Sequence, residues 1–343
     1  MKLVIFSGAG ISIHSGLPSY QSIKNDKNYQ QFFLAEKEEA INIAEQFYQK
    51  YSACKPNKVH HQCCEIEDYC EILGIEFHHY TLNVDDLIEQ AGSNATHIYG
   101  CIDDFNTLIE HRSLPNVDMS HIAWEKDDIL VVIGVSNDGY PLAHLESQVL
   151  ANGADFYNYN LANNKYLSSK TIVGDLIHTF SSLSIASLLQ CEFEVMDIGV
   201  YEVEIKSFAI NGRRYEIYFS PSYDAYSCPD ETQAIEDLTD HKLTKNAYEV
   251  KFDLAENREK EQQFEPPTSN FDLKALSRLG LVLASTIEAH SNFKGGELYT
   301  ASAAHNNLVK YYNRLAKRYS VELKYQKWCE FGPYGVNYAF KKC

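Results

Sequence analysis

Short apolar runs alternate with helical patterns over roughly the first 185 residues of the chain. The runs that predict strands are residues 3–6, 76–81, 129–135, 154–160 and 170–173. The run at 129–133 has no polar alternation, which is typical of a strand covered on both faces. Residues 29–50 and 58–72 are predicted to be helical and mostly polar. Strands that alternate with helices form βαβ units, so we expect an α/β fold with a Rossmann-like parallel sheet.

The pattern changes at about residue 195, where Tyr201, Val203 and Ile205 alternate with charged residues and predict a half-exposed strand. Further strands are predicted at 215–220, 248–252 and 297–300, helices at 272–290 and 303–319, and a loop at 256–270. The last helix has an apolar stripe on one face and basic residues on the other. We interpret the basic face as exposed to solvent rather than as a phosphate-binding surface. We therefore predict a first domain over residues 1–190 and a smaller, antiparallel α+β domain of unknown role over 195–343.

Composition narrows the class of protein. The chain has 343 residues, which suits two domains, and a formal net charge of −17, which argues against general binding of nucleic acid or acidic membranes. No stretch approaches the roughly 20 apolar residues of a membrane span, and we expect no signal sequence. Nine cysteines without a Cys-x-x-Cys pair fit a reducing compartment. We expect a soluble cytoplasmic protein whose oligomeric state the sequence leaves open.

The first candidate site is the glycine-rich segment at residues 8–21, which directly follows the first apolar run. Glycines without a Cβ let a backbone approach a pyrophosphate, and the N-terminus of the next helix offers N–H groups to an anion. The candidate cofactor-binding residues here are Gly8, Ala9, Gly10, Ser12, Pro18, Tyr20 and Gln21. Because the third glycine is delayed to Gly16, the spacing departs from the dehydrogenase fingerprint, and a hydride-transfer dehydrogenase is the weaker hypothesis.

This opening resembles the sirtuin motif Gly-Ala-Gly-x-Ser-x-x-Ser-Gly-Ile-Pro-x-Phe-Arg, with which it agrees at every fixed position from Gly8 to Pro18 except Leu17. Other segments resemble the family in the same order: Pro56-Asn57 with His60, residues 81–87, 131–141 and 153–161, and Gly174-Asp175. The resemblance covers about residues 1–185 and implies a sirtuin-like, Rossmann-like fold.

The resemblance also implies roles for individual residues. Asn83 and Asp85 would lie beside the nicotinamide ribose, where a carboxylate favours the positive charge that grows as the glycosidic bond breaks. The other residues implied to contact the dinucleotide are Gly134, Ser136, Asn160, Gly174 and Asp175. A simpler alternative for Asn83 and Asp85 is a cap for the helix that begins near Leu87. The match to the other motifs favours the functional role.

The sequence departs from the sirtuin pattern at three places that affect catalysis, metal binding or the cofactor loop. Tyr99 occupies the position of the family's catalytic histidine, and a phenol with a pKa of about 10 is a poor base. His97 could substitute for it if the stretch is extended, or could simply be hydrogen-bonded at a strand end. The family's four-cysteine zinc ribbon has no counterpart between Gly100 and Val131, so no zinc or other metal is expected. Tyr20-Gln21 replaces the motif's Phe-Arg and removes a cation.

These observations predict a sirtuin-like hydrolase or transferase that binds NAD as a substrate and cleaves its nicotinamide–ribose bond. The acceptor could be water, an acyl oxygen or a protein side chain, and loss of the usual histidine makes deacylation the least secure choice. The catalytic candidates are Asn83, Asp85, His97 and Tyr99. The alternative is a non-catalytic module that senses NAD or ADP-ribose and signals through the second domain.

Overall fold

The computed structural model describes residues 1–112, 119–136, 139–190, 192–225, 229–244, 246–258, 272–332 and 334–343. Within this part the chain divides into two compact units, Met1–Ser182 and Leu183–Cys343. Most of the predicted loop at 256–270 lies outside the described residues. No helix of the described residues is both long enough and apolar enough to cross a bilayer.

The first unit is built on a six-stranded parallel sheet. Its strands are β1 (Lys2–Ser7), β2 (Glu76–Thr81), β3 (Thr96–His97), β4 (Ile129–Ile133), β5 (Asp155–Asn160) and β6 (Thr171–Val173). They lie in the order β3-β2-β1-β4-β5-β6, and every pair is parallel. This is the strand order of doubly wound dinucleotide-binding folds, so the predicted Rossmann-like sheet is confirmed. The two central strands are completely buried from Leu3 to Phe6 and almost so from Ile129 to Ile133, as the unbroken apolar run at 129–133 predicted.

Helices connect and cover these strands. They are α1 (Tyr20–Lys24), α2 (Lys27–Leu34), α3 (Lys37–Tyr51), α4 (Lys58–Leu73), α5 (Leu87–Ala91), α6 (Phe105–His111), α7 (Leu142–Ala151) and α8 (Leu176–Thr179), and α9 (Ser182–Leu188) begins at the boundary between the units. The single helix predicted over 29–50 is in fact two helices, because the backbone is extended at Ala35 and Glu36. Two short 3₁₀ helices, Ala9–Ser15 and Met119–His121, complete the connections.

The chain reverses direction across the sheet between β1 and β4. From β1 it moves outward to β2 and β3, and from β4 it moves to the other side through β5 and β6. Loops that leave the carboxyl ends of β1 and β4 therefore separate and leave a crevice between them. Such a switch point is where open α/β sheets bind their ligands.

The second unit contains a seven-stranded sheet with the order β12-β13-β11-β10-β9-β8-β7. Its strands are β7 (Glu194–Asp197), β8 (Glu202–Ile210), β9 (Arg213–Pro221), β10 (Ala247–Leu254), β11 (Leu298–Ser302), β12 (Tyr325–Phe331) and β13 (Asn337–Lys342). The helices are α10 (Ser222–Ala225), α11 (Pro229–Thr239), α12 (Leu273–Lys294) and α13 (Asn306–Glu322). The expected all-antiparallel arrangement is wrong at one pair: β10 and β11 are parallel, because the connection between them contains the crossover helix α12.

A buried histidine ties α12 to this sheet. His290 is fully buried; its Nε2 lies 2.6 Å from Glu204 Oε2 on β8, and its Nδ1 lies 2.9 Å from the Tyr299 hydroxyl on β11. Its ring also stacks on Phe219 of β9, with ring centroids 4.0 Å apart. One side chain thus joins three strands to the helix.

Candidate active site

Three loops that leave the carboxyl ends of β1, β2 and β4 line a cleft at the switch point. The cleft has an empty volume of about 740 Å³, which includes its open mouth. The predicted site residues that line it are Gly8, Ala9, Ser12, Pro18, Tyr20, Asn83, Asp85, Tyr99, Gly134 and Ser136. The fold therefore brings together residues that are more than a hundred positions apart in the sequence.

The glycines of the loop after β1 allow its backbone to pack closely against the backbone of the loop after β4. The Gly8 amide donates to Ile133 O and the Gly10 amide donates to Gly134 O, each at 3.0 Å. A Cβ on Gly10 would lie 2.6 Å from Gly134 Cα, and Gly134 has a positive φ of 64°. Because the Ile11 amide also bonds to Gly8 O, these N–H groups are not free for a phosphate, contrary to the expectation from the sequence.

The floor of the cleft is a buried polar cluster centred on Ser12. The Ser12 hydroxyl lies 3.0 Å from Asp85 Oδ2, and Asn83 Nδ2 donates to Ser12 Oγ at 3.1 Å. Asp85 also accepts a bond from the Leu87 amide at 3.3 Å, at the start of α5, but the N-cap position of that helix is Asp86, whose side chain makes no capping bond. All three polar side chains are at most 6 % exposed. One carboxylate thus bonds to the first amide of α5 and lines the cleft.

Asp85 is the one carboxylate among the described residues that line the cleft. Its burial raises the pKa of its carboxyl group to about 6, while the bonds from Ser12 and the Leu87 amide act in the opposite direction. The group is therefore mostly ionised at neutral pH and protonates in mild acid. A carboxylate with a pKa this close to neutral can change its protonation state when charge develops close to it.

Tyr99 lines the cleft at the position where the family has its histidine. Burial raises the pKa of Tyr99 above the ordinary value for a phenol, so the hydroxyl stays protonated at neutral pH. The sequence did not single out Tyr29 and Tyr51, which enter the cleft from α2 and α3. Burial also raises the pKa of Tyr51, to about 12. These phenols can donate hydrogen bonds but cannot act as bases.

His97 does not line the cleft, and its surroundings do not support the role of a base. Its Nδ1 lies 2.8 Å from Asn83 O and its Nε2 lies 3.2 Å from Glu89 Oε1. Both neighbours are acceptors, so both ring nitrogens donate, which requires the imidazolium form. Burial lowers the pKa of His97, but bonds with Cys101 and Glu89 outweigh it and raise the pKa to about 10. The simpler alternative, a histidine hydrogen-bonded at the end of a strand, matches this geometry.

Several predicted cofactor-binding residues lie outside the lining of the cleft: Gly10, Gln21, Asn160, Gly174 and Asp175. Asn160 donates from Nδ2 to Val135 O at 2.7 Å and so supports the loop after β4. Asp175 caps α8 and lies 2.8 Å from His14 Nε2. Asn160 and Asp175 thus hold loops around the cleft in place.

Ser136 is the strongest candidate for a direct ligand contact on the β4 loop. Its hydroxyl is buried at the cleft and has no hydrogen-bond partner among the described residues. A buried hydroxyl without a partner costs free energy unless a ligand or water satisfies it. No group of three or more histidine, cysteine or acidic side chains in the described ranges could hold a metal ion.

No family model matches the chain, but known proteins are similar to part of it. An NAD-dependent protein deacylase of Mycobacterium tuberculosis is 24% identical over 220 residues, which cover 50% of this chain and 91% of that protein. An NAD-dependent protein deacetylase of Staphylococcus epidermidis is 31% identical over 121 residues, or 30% of this chain and 46% of that protein. A solved complex of a Sir2 homologue with NAD is 18% identical, covers 55% of this chain and 88% of the other, and has a TM-score of 0.39. Through its similarity to these deacylases and its doubly wound parallel sheet, the chain is a divergent sirtuin-like protein.

Proposed function

We propose that the first unit binds NAD and cleaves its nicotinamide–ribose bond, with water as the acceptor. The observation that carries this proposal is the meeting of Asn83 and Asp85, through Ser12, in the cleft at the switch point. The similarity to proteins named NAD-dependent deacylases supports the choice of NAD.

The cleft lies where a dinucleotide would bind. Adenine dinucleotides bind at the carboxyl ends of strands at the switch point of an open α/β sheet. The loops after β1 and β4 enclose the cleft at this point. The Ser136 hydroxyl, which has no hydrogen-bond partner in the described part of the chain, supplies a donor at the end of β4, where the sequence resemblance expected a phosphate or ribose contact.

The buried carboxylate supplies the electrostatic part of the chemistry. As the bond to nicotinamide breaks, positive charge develops on the ribose, and a charge held in a site of low dielectric stabilises it far more than one in water. Asp85 is 5% exposed and mostly ionised at pH 7. Asn83 donates to Ser12, which leaves its amide oxygen to accept a bond from a ribose hydroxyl.

The side chains near the cleft favour water over an acyl group as the acceptor. Deacylation in this family uses a histidine that takes a proton from a ribose hydroxyl, and here that position holds Tyr99. The phenol is protonated and His97 is engaged at both nitrogens, so neither provides that base. Hydrolysis needs only a positioned ribose, a stabilising charge and access for water.

The experiment is to incubate the purified full chain with NAD and to measure nicotinamide and ADP-ribose by chromatography. We expect equal amounts of both products, and a loss of rate of about 100-fold in Asn83→Ala, as for removal of a polar group that acts in the transition state. Asn106→Ala, an exposed asparagine on α6, serves as the control and should keep the wild-type rate. Nicotinamide without ADP-ribose, together with a labelled protein, would instead identify a protein acceptor.

A second candidate function is a module that binds NAD or ADP-ribose without turnover. The specific observation in its favour is the absence of a neutral histidine from the described lining of the cleft. It predicts saturable heat on titration with ADP-ribose and no nicotinamide release over hours. Turnover that depends on Asn83 would exclude it.

A further inference from the structure

We propose that His60 is a positioning residue of the cleft: its Nε2–H donates a hydrogen bond to Ser12 Oγ and thereby directs the hydroxyl of Ser12 to donate to Asp85. This inference rests on the proposed function, because it assigns His60 a part in the same reaction. His60 itself lies behind Ser12 and is not among the described residues that line the cleft. We call the arrangement of His60, Ser12 and Asp85 the serine lock.

The backbone of the protein fixes the tautomer of His60. The Asn57 amide donates to His60 Nδ1 at 3.1 Å as part of the capping box that begins α4. A backbone amide can only donate, so Nδ1 accepts and the ring proton sits on Nε2. Burial lowers the pKa of His60 to about 4, so the ring is neutral at physiological pH.

The bonds around Ser12 then leave one direction for its own proton. Its oxygen lies 3.3 Å from His60 Nε2 and 3.1 Å from Asn83 Nδ2, and both of these nitrogens donate. A hydroxyl has two acceptor sites and one proton, so the proton goes to Asp85 Oδ2 at 3.0 Å. Ser12 is completely buried, and bulk water therefore does not compete for these bonds.

The serine lock matters because Asp85 must be ionised to act. A bond donated to the carboxylate favours its charged form and works against the burial that favours the neutral form. The opposite tautomer of His60 would place a lone pair toward Ser12 and compete with Asp85 for the same proton. The cap of α4 thus sets the protonation of a group in the cleft.

The remaining charged and titratable groups near the serine lock come from several elements. Asp85 is close to the carboxylate of Asp86, the cation of His97 and the phenol of Tyr51. His60 is influenced by His61 and Glu89, and it in turn influences His79. A neutral replacement at position 60 leaves the charges of these groups unchanged, so its effect on the pKa of Asp85 can be measured separately.

The test compares His60→Asn with His60→Gln. The amide oxygen of asparagine can take the place of Nδ1 and keep the cap, but nothing replaces the donor at Nε2. Glutamine places an amide N–H near Nε2 and keeps the donation to Ser12. We expect His60→Asn to lower kcat about tenfold while KM changes less than about threefold, as for the loss of one bond that supports a charged group. In His60→Gln most of kcat should be restored.

The pH profile is the readout that a purely structural role would not change. In the wild type, kcat/KM should rise through the pKa of Asp85 near 6. In His60→Asn this midpoint should move to higher pH, and in His60→Gln it should return toward the wild-type value. Equal losses in both variants with unchanged midpoints would overturn the serine lock.

Failure of the proposed function can be distinguished from failure of the serine lock. If the wild type releases no nicotinamide, the proposed reaction is wrong, but the pKa of Asp85 can still be followed by carboxyl-selective NMR on labelled protein. A carboxyl midpoint that moves upward in His60→Asn and not in His60→Gln would then support the hydrogen-bond arrangement alone. An unmoved midpoint in both variants would contradict it.

Discussion

Replacement of Asp85 by asparagine tests whether the folded protein keeps an ionised carboxylate in the cleft although burial favours the neutral form. The side chain is 5% exposed, and its pKa lies near 6 instead of the ordinary 3.8. Asparagine has nearly the same shape and can still accept the bond from the Leu87 amide. It removes the charge, and it also removes the acceptor for the proton of Ser12.

The sign of the effect follows from proton binding. Between pH 3.8 and about 6 the folded protein holds a proton on Asp85 that the unfolded chain has released, so stability falls as pH rises through this window. At about 1.4 kcal/mol for each pH unit, ionised Asp85 lowers the free energy of unfolding by about 3 kcal/mol at neutral pH. Loss of the bond from Ser12 costs Asp85→Asn about 1 kcal/mol at every pH. The variant should therefore be about 2 kcal/mol more stable than the wild type at neutral pH and less stable below about pH 4.

The measurement is equilibrium urea unfolding of the wild type and Asp85→Asn near pH 4 and pH 7.5. The chain has two tryptophans, Trp124 in the first unit and Trp328 in the second, so a Trp328→Phe background makes the fluorescence report on the first unit alone. Asp86→Asn, on a partly exposed carboxylate bonded to Gln90, controls for the loss of one charge in the same loop. A stability difference between wild type and Asp85→Asn that is the same at both pH values would refute the raised pKa. In that case the proposed pH dependence of the cleft would fail with it.

Three further predictions concern packing and charge. Gly10→Ala should lower the free energy of unfolding of the first unit by about 2–3 kcal/mol in urea, because its Cβ would lie 2.6 Å from backbone of Gly134. Gly280→Ala in α12 should change stability by less than about 1 kcal/mol, since its Cβ meets the movable end of Leu315 and alanine favours the helix; a loss as large as that of Gly10→Ala would contradict this reasoning. His97 should remain an imidazolium at pH 8 by NMR. The stabilising effect of its pair with Glu89 should be complete below about pH 6.5 and lost as pH rises through about 10. An NMR titration midpoint near 6.5 would contradict this.

The sequence predicted the sheet of the first unit well because a central strand of this sheet is an unbroken apolar run. Residues 129–133 are apolar without interruption, and the structure buries every one of them. The break between α2 and α3 was not predicted because the apolar spacing continues across Ala35 while only the backbone becomes extended. The parallel pairing of β10 and β11 was missed for a related reason: strand direction depends on where the crossover helix α12 lies, which local pattern does not encode.

The site was predictable as a set of residues but not as a set of bonds. Glycine-rich and Asx-rich segments after two strands had to meet, because parallel strands share their carboxyl edge. The engagement of His97 with Glu89 was not visible, since the choice between a free and a bonded histidine depends on a side chain eight positions away. Tyr29 and Tyr51 were missed because they approach the cleft from separate helices and share no motif with it.

Two opposed effects decide what Asp85 can do, and hydrogen-bond direction determines the balance between them. Burial alone would keep the carboxyl group neutral, and a neutral acid gives little stabilisation to a positive charge. The bonds from Ser12 and the Leu87 amide act the other way and leave the pKa of Asp85 near 6, within reach of neutral pH. Because His60 and Asn83 both donate to Ser12 and so orient its proton toward Asp85, the charge in the cleft is supported by a ring that is held by the cap of α4. A sirtuin-like cleft without its usual histidine thus keeps an ionised group through the polarity of neutral partners.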